Sequence, residues 1–158
     1  MKRTFDYKIG VISDTHGLVR QSVVKSFNDV DLIVHAGDIG THEALDTLKT
    51  IANVYPVRGN VDGGTWSKTL PFTEVVQVGE IYLYLLHNLD SLDLDPAAAG
   101  FQVVISGHSH IPKIEKQNDI LFINPGSAGP RRFDFPISIA FLYIQGSSVE
   151  VEIVELKE

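Results

Sequence analysis

Short β-branched runs, "KIGVIS" from Lys8 and "DLIVHAG" from Asp31, alternate with "QSVVKSFN" and "HEALDTLKTIA", where apolar residues recur at helical spacing. A third apolar run, "NVYPVRGN", follows the second helical segment after almost no linker, and Thr41 is placed to cap that helix. The pattern predicts strand, helix, strand, helix, strand over residues 8–58. Beyond Gly63 and Gly64 the spacing becomes that of hairpins. "FTEVVQVGEIYLYLLHN" turns at Gly79 and Glu80, "KIEKQNDILFIN" at Asn118 and Asp119, and "ISIAFLYIQGSSVEVEIVEL" at Gly146. Between the first two, the acidic "LDSLDLDPAAAG" predicts a solvated loop with a short helix after Pro96, and "QVVISG" a further strand. Runs of strands covered by helices predict an α/β architecture of two packed sheets, with the ligand site beyond the carboxyl ends of the strands.

A chain of 158 residues predicts one domain over 1–158, long enough to bury about two thirds of its unfolded surface. Cysteine is absent, so any metal is held by oxygen and nitrogen. A net charge of −7 argues against general nucleic-acid binding, and leaves a small anionic substrate received by local cations. No apolar run is long enough for a membrane span, and no apolar stretch follows the basic start as in a signal peptide, so a cytoplasmic location is expected.

The strand ends carry the chemistry. Asp14 and His16 follow the first strand, Asp38 the second, Asn60 the third; His87 follows "YLYLL", and His108 and His110 stand in "GHSH" after "VVIS". Taken singly, a histidine is more often a satisfied core or surface residue than a ligand, and Gly-Asn pairs are more often turns. The conjunction differs, because charges at the ends of buried strands are costly without a partner. Seven such ligands are too many for one ion with an open position, and suit a pair about 3.5–4 Å apart that share a carboxylate, for which Asp38 is the choice. Residues two apart in an extended segment point the same way, so His108 and His110 are expected to face one cluster. His35, inside its strand, is expected to be a buried imidazole hydrogen-bonding near Asp38. His42 is expected to be exposed at a helix start, and Asp62 is read as a turn former before a supporting residue.

This series, "DTH" at Asp14 to His16, "GD" at Gly37 and Asp38, "GN" at Gly59 and Asn60, His87, and "GHSH" at Gly107 to His110, resembles the calcineurin-like metallophosphoesterase superfamily. The short length and "NPGS", Asn124 to Ser127, resemble its small prokaryotic phosphodiesterase branch, akin to the retromer subunit of the same fold. The resemblance implies a four-layer αββα sandwich of two mixed sheets flanked by helices. It implies Asp14, His16 and His110 on one divalent ion, Asn60, His87 and His108 on a second, and Asp38 bridging. Manganese is the first choice of metal, with nickel, cobalt, zinc or iron as alternatives. The implied reaction is hydrolysis of a small phosphodiester by a hydroxide bridging the two ions, with Asp38, Asn60 and His87 positioning metal and phosphate. A phosphomonoesterase or phosphoprotein phosphatase, or a non-catalytic retromer-like scaffold, are the alternatives, and a homodimer or higher homo-oligomer is implied by the resemblance. Two positions depart from the pattern: Val61 stands where larger members have a histidine after the motif asparagine, and Asn88 where the small branch has glycine. Arg131 and Arg132 stay outside the catalytic set.

Overall fold

A computed structural model describes residues 4–157. The basic residues at positions 2 and 3 lie outside the described residues. The first sheet is built from β1 (Tyr7–Ile12), β2 (Leu32–His35), β3 (Asn53–Pro56), β9 (Ser138–Gln145) and β10 (Ser148–Glu155), in the order β10-β9-β1-β2-β3. The second comprises β4 (Thr73–Val78), β5 (Ile81–Leu86), β6 (Val103–Ile105), β7 (Lys113–Gln117) and β8 (Ile120–Asn124), in the order β4-β5-β6-β8-β7. In each sheet three neighbouring strands pair in parallel, β1, β2 and β3 in one and β5, β6 and β8 in the other, while every pairing made by β4, β7, β9 and β10 is antiparallel. Both sheets are therefore mixed, as the fold expectation required.

The core lies between the sheets. Val11, Val34, Ala140 and Leu142 of the first sheet pack with Leu83, Leu85, Val103 and Ile105 of the second. On β10 the alternation sorts its residues: Val149, Val151 and Ile153 pack against this core, while Glu150 and Glu152 are exposed on the sheet's edge strand. The outer face of the first sheet is covered by α1 (Gln21–Ser26) and α2 (His42–Lys49), through Val23, Phe27 and Leu48 against Ile12, Ile33 and Ile139. Thr41 does cap α2, its side-chain oxygen accepting from Ala44 N–H at 3.2 Å. The second sheet's outer layer is thin. It consists of α3 (Pro96–Ala99), a 3-10 turn over Leu89–Ser91 and the chain between them, which brings Leu92, Leu94 and Phe101 onto Tyr84, Leu86 and Val104.

Every predicted hairpin turn is found. Asn118 and Asp119 both have positive φ, 49° and 67°, which matches the backbone twist a tight hairpin demands. The elements are shorter than the apolar runs suggested: β2 stops at His35 and β3 at Pro56, because beyond those residues the chain leaves the sheet to build the site. A 3-10 turn over Thr65–Thr69 was not expected from the apolar spacing.

Phe27 is fully buried, meets Phe141 edge-on at 5.7 Å between centroids, and fills the space above Gly10. Phe27→Ala is expected to cost about 3–5 kcal/mol, read as a lower denaturant midpoint at unchanged m-value.

Candidate metal centre

The carboxyl ends of all six parallel strands converge on one place. Asp14 and His16 lie beyond β1, Asp38 beyond β2, Asn60 beyond β3, His87 beyond β5, His108 and His110 beyond β6, and "NPGS" begins at the end of β8. At the base, Asp14 is fully buried and Asp38, His87 and His110 are 3%, 6% and 3% exposed. His16 is half-buried, whereas His108 and Asn60 are exposed on the solvent side.

Two ligand groups overlap at this base. One is Asp14, His16 and His110; the other is Asp14, Asp38 and His87; in each the ligand atoms lie within 4.8 Å of one another. Asp14 Oδ1 is 3.4 Å from His110 Nε2, 3.9 Å from His16 Nε2 and 4.0 Å from His87 Nε2. Asp38 Oδ2 is 3.2 Å from His87 Nε2 and 3.8 Å from His16 Nε2, so it too spans the two groups. Carboxylate oxygens of both aspartates thus stand between the histidines. His108 Nδ1 joins at 3.4 Å from His87 Nε2. Asn60 makes no such contact; it borders the same cavity as His87 and His108.

The donor set fits divalent cations. Asp14 Oδ1 and His16 Nε2 are buried with no hydrogen-bond partner, which is costly for a polar atom unless a cation occupies the space they face. Their other atoms are fixed. Asp14 Oδ2 accepts from Ser13 Oγ at 2.6 Å and His108 N at 3.1 Å, which turns Oδ1 inward. Asp38 Oδ1 accepts from Val61 N at 3.0 Å, which turns Oδ2 inward. The His87 Nδ1–H donates to the Ala36 carbonyl at 2.8 Å, so Nε2 is the atom aimed at the cluster. Burial opposes ionisation of Asp38, but the His87 hydrogen bond and Val61 N–H outweigh it and hold its pKa at about 2. Burial likewise opposes protonation of His87, but the Asp38 bond, the Ala36 carbonyl and the two carboxylates raise its pKa above the ordinary 6.5.

The local backbone differs from the extended alternation expected of "DTH" and "GHSH". Asp14, His16, Asp38, His108 and His110 have φ of 56°, 47°, 58°, 71° and 65°, all left-handed. Side chains converge because the chain coils tightly, each such residue costing on the order of 1 kcal/mol that its surroundings must offset. Two motif glycines permit the crowding: a Cβ at Gly107 would strike Ser13 Oγ and Asp14 Oδ2, and one at Gly59 would strike Asp38. Asn88, by contrast, has φ −114°, so its position requires no glycine.

Residues away from the ligands hold these turns. Asp62, read from sequence mainly as a turn former, is 3% exposed. Its carboxylate accepts from Asp38 N at 3.0 Å, Gly59 N at 2.9 Å and Gly40 N at 2.9 Å, tying the loops after β2 and β3 together. The signal was "GNVD" itself, an acid three residues after a glycine whose N–H it can reach. His35 is buried and hydrogen-bonds near Asp38 as expected, on Gly37, the residue before Asp38, and on Thr15. Gly37 N donates to its Nδ1 at 3.1 Å, and Thr15 Oγ1, which donates to the Ile39 carbonyl at 2.9 Å, is left to accept from Nε2–H at 3.0 Å. The neutral imidazole is therefore fully paired. "NPGS" clamps from the other sheet: Asn124 Nδ2 donates to the Gly107 carbonyl at 2.9 Å and Ser109 Oγ at 3.0 Å, and Ser127 Oγ donates to the Asp14 carbonyl at 3.0 Å. His42 is exposed at the first turn of α2, 3.1 Å from Asp46. Arg131 and Arg132 lie exposed in the loop after Gly129.

Burial drives the His35 pKa from 6.5 down to about 4. A depressed histidine stabilises the fold fully above pH 6.5, and that contribution is lost as pH falls toward 4; it is expected to reach about 3 kcal/mol, measured as unfolding free energy against pH and flattened in His35→Gln. Asp62→Ala strands three N–H groups and is expected to cost on the order of 3 kcal/mol and to weaken divalent-metal binding, read by denaturation and by calorimetric titration.

Residues 7–147 match the family model described as the calcineurin-like phosphoesterase superfamily domain. A protein of Methanothermobacter thermautotrophicus named "Probable metallophosphoesterase" is 34% identical over 158 aligned positions, covering 92% of this chain and 91% of that protein. A phosphodiesterase of Methanocaldococcus jannaschii is 28% identical over 75% of this chain and 82% of its own length. Among solved structures, Vacuolar Protein Sorting 29 of Cryptosporidium parvum superposes with a TM-score of 0.85 at 23% identity, covering 98% of this chain and 93% of that one. The structure of an archaeal phosphodiesterase gives a TM-score of 0.77 at 24% identity, covering 93% of this chain and 99% of that one. With the family model spanning nearly the whole chain and the ligand motifs gathered at one end of the two sheets, this chain belongs to the calcineurin-like phosphoesterase superfamily.

Proposed function

We propose that this chain is a phosphodiesterase whose centre takes two divalent cations, manganese being the first choice and nickel, cobalt, zinc or iron the alternatives. The observation that carries this reading is the overlap of two three-residue ligand groups through the buried Asp14 carboxylate, with Asp38 in reach of both His16 and His87, and with Asp14 Oδ1 and His16 Nε2 lacking a hydrogen-bond partner. Asp14, His16 and His110 would hold one ion, Asn60, His87 and His108 the other, and Asp38 would serve both. Two cations so held would make a water molecule acidic enough to ionise near neutral pH and would offset charge on the phosphoryl oxygens.

The residues of the chain do the rest by position. Asp14 and Asp38 are each pinned through one carboxylate oxygen, so the other needs no rearrangement to act as ligand. His87 is held in one tautomer by the Ala36 carbonyl. Asn60 and His108, on the solvent side, border the cavity in which a phosphoryl group would sit. Val61 is half exposed and carries no proton to give a departing alkoxide, which favours substrates with acidic leaving groups. The phosphodiesterase relative supports diesters over monoesters.

Metal-free protein supplied with manganese, nickel, cobalt, zinc or magnesium is expected to hydrolyse an aryl phosphodiester faster than the matching monoester. Asp38→Ala is expected to lower kcat/KM on the order of 1,000-fold. Preference for the monoester would turn the reading to a phosphatase; metal binding without turnover of either would turn it to a non-catalytic scaffold.

A further inference from the structure

Two cavities open from the solvent side of the candidate centre and meet at Asn88 and His108. One, of about 430 Å³, runs past Asn60 and His87 to Arg58, whose guanidinium lies over the Phe72 ring at 5.3 Å. The other, of about 440 Å³, leaves His108 in the opposite direction and is walled by Leu89, Ile111 and Phe122. Each is large enough for a ring-sized substituent. A phosphomonoester has one organic arm and a phosphodiester two, and this centre has two places to put them.

The second cavity selects for its occupant. Leu89 and Ile111 are 40% and 48% exposed, and these large apolar side chains face solvent beside a polar site. The cation on this wall, Lys113, is turned to Glu115 at 3.2 Å, so the wall offers an ion pair rather than a free charge. Its shape is set by fixed backbone: Asn88 Oδ1 accepts from Asp90 N at 3.0 Å and holds the turn that carries Leu89, while Ile111 N donates to Ser109 Oγ at 3.2 Å. Ser109 Oγ in turn accepts from Asn124, the residue that also fixes Gly107 beside His108. The apolar wall is thus braced by the same residues that position a candidate ligand.

We propose that the cavity walled by Leu89, Ile111 and Phe122 is the subsite for an aromatic or otherwise apolar ester group of a phosphodiester, the second arm extending toward Arg58. This rests on the phosphodiesterase reading for the phosphoryl group, and adds the chemistry of one substituent. The apolar surface recognises a planar uncharged group by burial, and the phosphoryl position beside His108 sets its distance from the reacting atom.

The test uses manganese-loaded protein and two non-hydrolysable anions, diphenylphosphinate and dimethylphosphinate, titrated calorimetrically into the native chain and into Ile111→Asp and Leu89→Asp. Both substitutions are at exposed positions outside the ligand set, so folding and metal content are expected to hold. The native protein is expected to bind the diphenyl compound about tenfold more tightly, and each variant to lose most of that preference, the diphenyl compound weakening by a larger factor than the dimethyl compound, which the added carboxylate only repels. Equal binding of the two anions, no binding of either, or a preference that survives both variants overturns the subsite. Metal-dependent hydrolysis of an aryl phosphodiester, assayed alongside, separates the two claims. Hydrolysis with no diphenyl preference leaves the enzyme and removes the subsite; a preference lost in the variants without hydrolysis leaves an aromatic-anion site and removes the phosphodiesterase.

Discussion

Asp14 and Asp38 place two carboxylates almost dry at one end of a chain that already carries a net charge of −7. Like charges in that position repel and are poorly solvated, so each carboxylate needs compensating partners. The first compensation is local: Ser13 Oγ and the N–H groups of Val61 and His108 satisfy the outward oxygens, and three histidine Nε2 atoms crowd the inward ones. The second is left open. Among the described residues Asp14 Oδ1 has no hydrogen-bond donor, and it faces the Nε2 atoms of His16, His87 and His110. A site that satisfies every outer atom and leaves the inner ones facing one another is shaped for a cation.

That constraint explains why the fold spends left-handed backbone where it does. Among the described residues, five of the eight positive-φ non-glycine positions are candidate ligands. Two parallel three-stranded cores deliver six chain ends to one place, but in an extended strand successive side chains point to opposite faces of the sheet. The tight coil after each strand is what turns Asp14, Asp38 and the "GHSH" histidines toward a common point. Asp62 and Asn124 hold those coils from either sheet, accepting or donating to backbone that would otherwise be buried without partners.

The fold was legible where periodicity decides it. Alternation in "SVEVEIVEL" and the three hairpin turns located β4, β5 and β7 to β10, and β-branched runs located β1 and β2. The seven ligand candidates were legible as residue types at strand ends, because charge in a buried context has few structural uses. What periodicity could not carry was the backbone of the loops. It treated His108 and His110 as alternating along an extended segment, whereas their shared direction comes from left-handed φ and from crowding that only a glycine at 107 allows. Asp62 was read as a turn former because its three acceptor contacts join loops 22 and 24 residues apart as well as its own turn. Long-range hydrogen bonding leaves no local period.

The division between scaffold and site bears on what similarity of structure can mean here. The core that holds the sheets together, from Ile9 to Ile144, contains none of the candidate ligands, so its burial energy does not depend on a metal being held. A fold of this kind can persist while ligands are exchanged, and superposition at 23% identity on Vacuolar Protein Sorting 29 speaks for the sheets and not for the chemistry. The site makes a stronger demand. Keeping five left-handed residues, two glycines pressed against carboxylates, and unsatisfied buried Asp14 Oδ1 and His16 Nε2 costs stability that a mere scaffold gains nothing by retaining. Relaxing any one of these, an Ala for Asp14 or a right-handed turn at 108, would leave the inter-sheet core untouched. That the whole set is present together argues for a cation-dependent use of this end of the molecule.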